Sequence, residues 1–288
     1  MNIGGVSHNE SSPSGILFGG GSRRHTTIAL HSLAVERATL MIQECFKDDL
    51  TLHDLACTAQ LSRFHFSRVF RSITGLSPSS FLEVVRLEQA KKMLLKSTCS
   101  VMEVCFDIGY QSVGTFTSRF SQFVGIAPTG LRQLARKPIM QAQPGELLIA
   151  LRSASPKPYL SPKSGIVGTI EMATPFRGII YVGAFADPLP RGQSLGHTFL
   201  TGPGPFQIDS LPDGAYYLLV AALGNGQNLL NILQQSVDLH GGLGKGPVLV
   251  SKGIAPEPVH IRLSPTSCID PPLLNIEPFI AISQLHLS

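Results

Sequence analysis

Apolar residues in the first half of the chain fall at helical spacing, and the pattern occurs twice. Phe66 and Phe70 recur at i and i+4, as do Phe116 and Phe120, which places each pair on one face of a helix. Polar landmarks repeat with them. Ser62 pairs with Ser112, Phe66 with Phe116, Phe70 with Phe120, Gly75 with Gly125 and Pro78 with Pro128, all at an offset of 50. Upstream the offset is 49, pairing Thr51 with Ser100, Asp54 with Glu103, Leu55 with Val104, Ala56 with Cys105 and Leu61 with Tyr110, so one residue has been gained in the turn.

Each copy predicts a helix, a tight turn and a second helix. Thr51-x-x-Asp54 and Ser100-x-x-Glu103 are capping boxes, in which hydroxyl and acid satisfy amides that a helix start leaves unpaired. Ser62 and Ser112 cap the second helices, and Gly75 and Gly125 close them where positive φ is favoured. Ser77-Pro78 and Ala127-Pro128 restart the chain with proline at a first helical position. From Ser79 to about Lys96 runs a connecting helix whose apolar residues, Phe81, Leu82, Val85, Leu87, Ala90 and Leu94, spread over more than one face, so both flanking units can pack on it. Its length of about 27 Å at roughly 1.5 Å per residue compares with the roughly 34 Å between successive major-groove faces of B-DNA.

After Arg136-Lys137-Pro138 the pattern changes to short β-type runs punctuated by glycine and proline. Strands are predicted at 165–171, 178–185, 205–209, 215–222, 247–251 and 258–263. Val259-His260-Ile261-Arg262-Leu263 alternates as a half-buried antiparallel strand does, and Leu211-Pro212-Asp213-Gly214 is a turn signal. Asn228 to Gln235 reads as a short helix joining strands. The predicted fold class is multidomain α and β: an N-terminal all-α domain with two helix-turn-helix units joined by a connecting helix, then a C-terminal all-β sandwich. The expected boundaries are a disordered lead-in over 1–30, the helical domain over 31–137, a semi-extended linker over 138–164 with a strand near Leu147 to Leu151, and the sandwich over 165–288, two independent bodies in all. Within the lead-in only Ile16-Leu17-Phe18 is apolar enough to dock elsewhere.

Composition narrows the function classes. An apolar fraction of 43 % over 288 residues excludes wholesale disorder. The net charge of +4 resides in the helical half, where residues 31–137 hold 13 Lys and Arg against 9 Asp and Glu, while 144–288 hold 8 against 9. That is a modest electrostatic footprint for nucleic acid. No stretch of 18 apolar residues predicts a membrane helix, and no secretory signal is seen. The five cysteines, at 45, 57, 99, 105 and 268, have no metal-ligand spacing and read as buried free thiols of a cytoplasmic protein.

The exposed positions of the second helices carry the candidate chemistry: Arg63, Phe64, Ser67, Arg68 and Arg71 in the first unit, Val113, Gly114, Thr115, Ser118, Arg119 and Gln122 in the second. Arginine can donate two hydrogen bonds to guanine in the major groove, and threonine or serine can bond several bases or a phosphate. Arg63, Arg71 and Arg119 suit phosphates, the commoner partner of a basic side chain. A helical bundle that binds protein, or nothing, stays open on this pattern alone.

Residues 35–136 resemble the two-unit DNA-binding domain of AraC/XylS-type bacterial transcription regulators. The motifs are L-x-x-L-A at Leu52 to Ala56, L-S-x-x-x-F-x-R-x-F at Leu61 to Phe70, I-G-Y-Q-S-x-x-x-F-x-x-x-F at Ile108 to Phe120, Gly125-Ile126-Ala127-Pro128 and Leu131-Arg132. The resemblance implies double-stranded DNA as partner, with Phe64, Ser67, Arg68 and Val113, Gly114, Thr115, Ser118 at the base-reading positions. It also implies that the partner domain takes a small-molecule effector or a protein, and leaves RNA polymerase as a further partner. Ser118 stands where the family has arginine, with Arg119 next door; Gly114 replaces a common serine and Leu131 the usual tyrosine.

Residues 165–265 resemble the transthyretin-like, or carboxypeptidase-regulatory-like, sandwich, chiefly through F-x-I-x-x-L-P-x-G-x-Y at Phe206 to Tyr216. One relative of that fold is a hydrolase ending in Y-R-G-S, whereas this chain ends Gln284-Leu285-His286-Leu287-Ser288. His197, His240 and His260 read as solvated. Gly241-Gly242-Leu243-Gly244-Lys245-Gly246 lacks the G-K-[ST] ending of a phosphate loop and reads as a mobile hairpin loop. No catalysis, cofactor or metal is expected. The expectation is a cytoplasmic, sequence-specific transcription regulator; the alternative is a non-sequence-specific DNA binder or interaction adaptor.

Overall fold

The computed structural model describes residues 20–147, 165–235, 240–243 and 246–285. A long helix, α1 (Gly20–Cys45), leads into α2 (Leu52–Thr58), α3 (Arg63–Thr74), α4 (Pro78–Lys96), α5 (Val101–Asp107), α6 (Val113–Val124) and α7 (Pro128–Ala135). The capping signals operate as their chemistry requires. Both capping boxes are complete, Thr51 with Asp54 and Ser100 with Glu103. Ser62 accepts from the His65 amide and Ser112 from the Thr115 amide. Gly75 (φ 77°) and Gly125 (φ 96°) close α3 and α6 in the left-handed region. The phenylalanine pairs superpose in kind, with ring centroids 5.3 Å apart for Phe66 and Phe70 and 5.5 Å for Phe116 and Phe120.

The extra residue of the second turn is located by matching hydrogen bonds. Leu61 N donates to Ala56 O and Tyr110 N to Cys105 O, so Leu61 and Tyr110 are equivalent. Gln111, exposed between Tyr110 and the cap Ser112, is the insertion. It changes the approach to the helix: Ser62 has φ −65° and Ser112 φ −141°.

Helix α4 serves two cores at once. Phe81, Leu82 and Val85 join Val35, Ala38 and Ile42 of α1, Leu55 and Ala56 of α2, and Phe66, Val69 and Phe70 of α3. Val84, Leu87, Ala90 and Leu94 face Val104 and Cys105 of α5, Phe116, Phe120, Phe123 and Val124 of α6 and Leu131 of α7. Burying apolar faces on both sides of one helix explains why its hydrophobic positions follow no single stripe.

The second half holds β1 (Ile166–Met172), β2 (Gly178–Phe185), β3 (Gly196–Leu200), β4 (Gly204–Ile208), β5 (Gly214–Gly224), α8 (Leu229–Gln235), β6 (His240–Leu243), β7 (Val248–Val250), β8 (Val259–Leu263) and α9 (Glu277–Leu285). One sheet runs β4-β1-β8, with β1 antiparallel to β4 and parallel to β8. The other runs β3-β2-β5-β6, with β7 also paired to β5. Ile180, Val182 and Ala184 of β2 and Leu218, Val220 and Ala222 of β5 share a core with Ile166, Ile170, Phe206, Ile208, Ile261 and Leu263 of the first sheet.

The opposite face of the second sheet corrects the expected domain plan. Ile179, Tyr181, Ala221 and Leu223 pack into the core that contains Phe116, Phe120 and Phe123, together with Ile232 and Leu233 of α8 and Phe279 and Ile282 of α9. The second helical unit and the sheet therefore share one core, and the chain does not form two independent bodies divided at 137. All of β2 is buried as a result, which accounts for its unbroken apolar run.

Other expectations also change. Helix α1 begins at Gly20, within the stretch read as a disordered lead-in; residues 1–19, with Ile16-Leu17-Phe18, lie outside the described residues. Over the described part of the expected linker, 138–147, a 3-10 turn spans Pro138–Gln141 and residues 144–147 are helical, with Met140 and Leu147 buried; residues 148–164 lie outside the described residues. Leu147 is thus not in a strand, and the rest of that expected strand lies outside the described residues. The glycine-rich segment is ordered over β6, which pairs with β5 from Leu219↔Leu243 to Ala222↔His240. Two helices, α8 and α9, make this half less than all-β.

Candidate nucleic-acid interface

The amphipathic division of α3 places its polar and basic residues outward. Phe66, Val69 and Phe70 are at most 5 % exposed, whereas Phe64 is 82 % exposed on the first turn. Arg63, Arg68 and Arg71 are exposed and Ser67 is half-buried. No ion pair engages these three arginines among the described residues, so their donors face solvent. An aromatic ring this exposed contributes nothing to the core, but it suits apolar contact with a thymine methyl.

Helix α6 presents a different surface. Gly114, Thr115, Ser118, Arg119 and Gln122 are exposed, while Val113 is half-buried against the second core. Arg119 is committed: its Nε lies 3.3 Å from Glu83 Oε1 on α4, and a terminal nitrogen donates to Gln122 Oε1 at 3.3 Å. Tyr110 Oη donates to the same Glu83 oxygen at 3.5 Å. Burial pushes the Tyr110 hydroxyl well above the usual range, with the Glu83 carboxylate adding to the effect, so it remains a donor.

Between the two units lies a groove of about 520 Å³ lined by Asp49, Ser67, Ser77, Ser80, Arg86 and Tyr110, among others. Arg86 is a structural residue there. Its Nε donates to Phe46 O at 2.7 Å and an Nη to Asp48 O at 2.9 Å, tying α4 to the end of α1. Gly109 (φ 83°) approaches this guanidinium so closely that a Cβ would stand 3.2 Å from it and 2.8 Å from Lys47 O. The sequence reading missed Glu83, Arg86 and Tyr110; Glu83 and Arg86, at i and i+3, share one face of α4, but that spacing does not set them apart from its other polar residues.

Residues 55–134 match the family model described as a helix-turn-helix domain. They form a helix-turn-helix domain, the part of the chain that is similar to HTH-type transcription regulators. Among similar proteins, an uncharacterized HTH-type transcriptional regulator of Haemophilus influenzae is 32 % identical over 105 residues, 36 % of this chain and 35 % of that protein. The HTH-type transcriptional activator AarP of Providencia stuartii is 27 % identical over 108 residues, 38 % of this chain and 78 % of AarP. In a solved structure, the C-terminal domain of AraT, a response regulator from Geobacillus stearothermophilus, is 30 % identical with a TM-score of 0.33, covering 35 % of this chain and 84 % of that one. The chain spans 35 % of the length of the first of these relatives, and each match is confined to about a third of this chain.

The β-rich half holds a second polar cluster. His197 is exposed, as read, but not without partners: its ring stacks on Tyr181 at 5.6 Å, and its Nδ1 lies 3.3 Å from Ser194 Oγ. Ser194 Oγ in turn donates to Glu277 Oε1 at 3.4 Å. Burial raises the pKa of Glu277 and lowers that of His197, so both neutral forms are favoured. His260 is exposed, and the side chain of His240 lies outside the described residues. All five cysteines are free, but Cys105 alone is fully buried and Cys57 is exposed. Among the described residues, no helix is long and apolar enough to cross a membrane and no cluster of His, Cys, Asp or Glu could hold a metal ion.

Proposed function

We propose that the chain is a sequence-specific transcription regulator that reads two adjacent major-groove half-sites, one with α3 and one with α6. The observation that carries this reading is the matched pair of capped helices, alike in caps and core and unlike at every exposed reading position. Helix α4, about 28 Å long at roughly 1.5 Å per residue, spaces them on the scale of one helical turn of DNA. Arg68 reads guanine, Phe64 meets a thymine methyl and Ser67 bonds a base or phosphate. Arg63 and Arg71 hold phosphates. In the second half-site Thr115 and Ser118 take the polar contacts, Val113 and Gly114 allow close approach, and Arg119 and Gln122 reach the backbone. The β-rich half is a two-sheet sandwich of the transthyretin-like kind, supported by the core its sheets share.

Selection from a pool of random duplexes tests the reading. Two conserved blocks about one helical turn apart are expected. Flat enrichment would favour a non-sequence-specific DNA binder or adaptor, for which the engagement of Arg119 by Glu83 is the supporting observation.

A further inference from the structure

Helix α6 ends in carbonyls that no residue of its own helix can reach. Two of them are met by backbone amides from the β-rich half: Gly192 N donates to Gln122 O at 2.9 Å and Ile276 N to Val124 O at 3.1 Å. One buried side chain joins these two distant segments. Asn275, 3 % exposed, donates through Nδ2 to Gly192 O at 2.8 Å and accepts from Glu277 N through Oδ1 at 2.9 Å. The Arg191 guanidinium lies over the Phe123 ring at 4.9 Å, beside the same contact. A further strap reaches α4, where Lys91, 1 % exposed and paired with Glu88 at 2.8 Å, donates to Leu273 O at 3.3 Å.

The first unit is held differently. At the positions equivalent to Gln122 and Val124, no backbone amide of the β-rich half reaches Ser72 O or Thr74 O among the described residues. Among the described residues its polar contacts with that half are Gln43 Nε2 to Cys268 O at 3.4 Å and Cys268 Sγ to Glu36 at 3.8 Å, made by exposed residues of α1. Its buried core is distinct from the one that α6 shares with the sheet, although Phe46 and Leu76 touch both and Ile269 of the β-rich half packs against the first. The boundary between the two cores therefore runs along α4, with Phe81, Leu82 and Val85 facing one and Val84, Leu87, Ala90 and Leu94 facing the other.

We propose that Asn275, with the Gly192 and Ile276 segments it ties together, positions the second reading helix: the β-rich half sets where α6 stands relative to α3, and so fixes the half-site spacing the protein accepts. This rests on the two-half-site reading. The backbone contacts of the two segments lie at the C-terminal end of α6, and Thr115 in its first turn and Ser118 at its middle stay exposed. A change at the grip therefore moves the helix without altering its reading chemistry. Asn275 is a positioning residue.

The test uses the full chain and duplexes in which the half-site spacing is varied by one base pair in each direction, with a duplex carrying only the first half-site as control. Asn275→Ala is expected to flatten the wild-type spacing preference by about tenfold, leave binding to the first half-site alone unchanged, and speed hydrogen exchange at the Gly192 and Ile276 amides. Lys91→Met, which releases the strap to Leu273 and keeps an apolar stem, provides a second variant should Asn275→Ala fail to fold. Faster exchange with an unchanged spacing profile overturns the inference alone. A wild-type chain with no spacing preference overturns the half-site reading and the inference together.

Discussion

Arg119 Nε stands 3.3 Å from Glu83 Oε1, so the one arginine of α6 is held by an acid of the connecting helix. With side chains 46 % and 26 % exposed, this pair adds little to stability, at most about 1 kcal/mol for an exposed ion pair. Its effect falls on charge presented to DNA. Glu83→Gln should release Arg119 for a phosphate, raising affinity by about two- to fivefold and steepening the salt dependence by about one counterion. Fluorescence anisotropy across a salt series measures both, and unchanged affinity with an unchanged slope rejects this role for Glu83.

Arg68 has no such partner among the described residues and lies one turn beyond the exposed Phe64. Arg68→Ala should weaken operator binding by about 1 to 3 kcal/mol and relax preference at one base pair. Arg63→Ala and Arg71→Ala should instead weaken binding to all sequences alike. A selected motif that Arg68→Ala leaves unaltered removes Arg68 from base reading.

How far the sequence could be read follows from how local each determinant is. Caps, closing glycines and the i, i+4 phenylalanines act within one turn, so both units and the one-residue insertion were legible before any coordinates. Strands β2 and β5 were visible for the same reason. Strand β3 was missed because Gly196-His197-Thr198-Phe199-Leu200 takes its order from pairing with β2 rather than from its own pattern. Helix α9 was hidden among Pro271, Pro272 and Pro278, although Asn275, which accepts from the Glu277 amide, was a legible start signal beside a proline tolerated in a first turn. The shared core left one signal, the unbroken apolar runs of β2 and β5, which mark strands covered on both faces without saying what covers them.

Glu277 sets a pH dependence of definite sign. It is 7 % exposed, one carboxylate oxygen accepts from Ser194, and Oε2 is buried without a partner among the described residues. Ser194 and Tyr181 are its neighbours, and no ion pair engages it among the described residues. Its pKa is raised by burial, so its neutral form contributes stability in full below the ordinary value of 4.5, and that contribution is lost as pH rises through the raised value. Glu277→Gln should therefore melt above wild type at pH about 8, with the difference closing towards pH about 4. Thermal melts across this range decide the point, and a wild type that melts higher at the alkaline end contradicts it.

Asp54 and Glu103 work in the opposite sense. Hydrogen bonds from Thr51 and Ser100 hold both carboxyls below their usual range. Their capping contribution is present above the ordinary carboxylate pKa and fades as pH falls through the lowered values. In the double variant Asp54→Asn and Glu103→Gln, part of the acid-induced loss of helicity seen by circular dichroism should disappear between pH about 5 and 2. A wild-type acid transition that is unmoved in this variant excludes the caps as its source.

Phe66 and Phe116 occupy equivalent places in the repeat and are both fully buried, yet they belong to different cores. Truncation of either leaves a cavity whose cost is about 3 to 5 kcal/mol. What differs is how far the loosening travels. Around Phe66 the core is built from α1 to α4 with Ile269 at its edge and holds no residue of β2 or β5, so Phe66→Ala should quicken hydrogen exchange over the first unit and leave β2 and β5 protected. The core around Phe116 continues through Phe120 and Phe123 to Tyr181 and Leu223, so Phe116→Ala should quicken exchange in α5 to α7 and also in β2 and β5. Phe→Leu at each position provides the milder pair if the alanine variants do not fold. Exchange that stays within residues 101–135 in the Phe116 variant would mean that the sheet and the second unit open separately, which a single shared core does not allow.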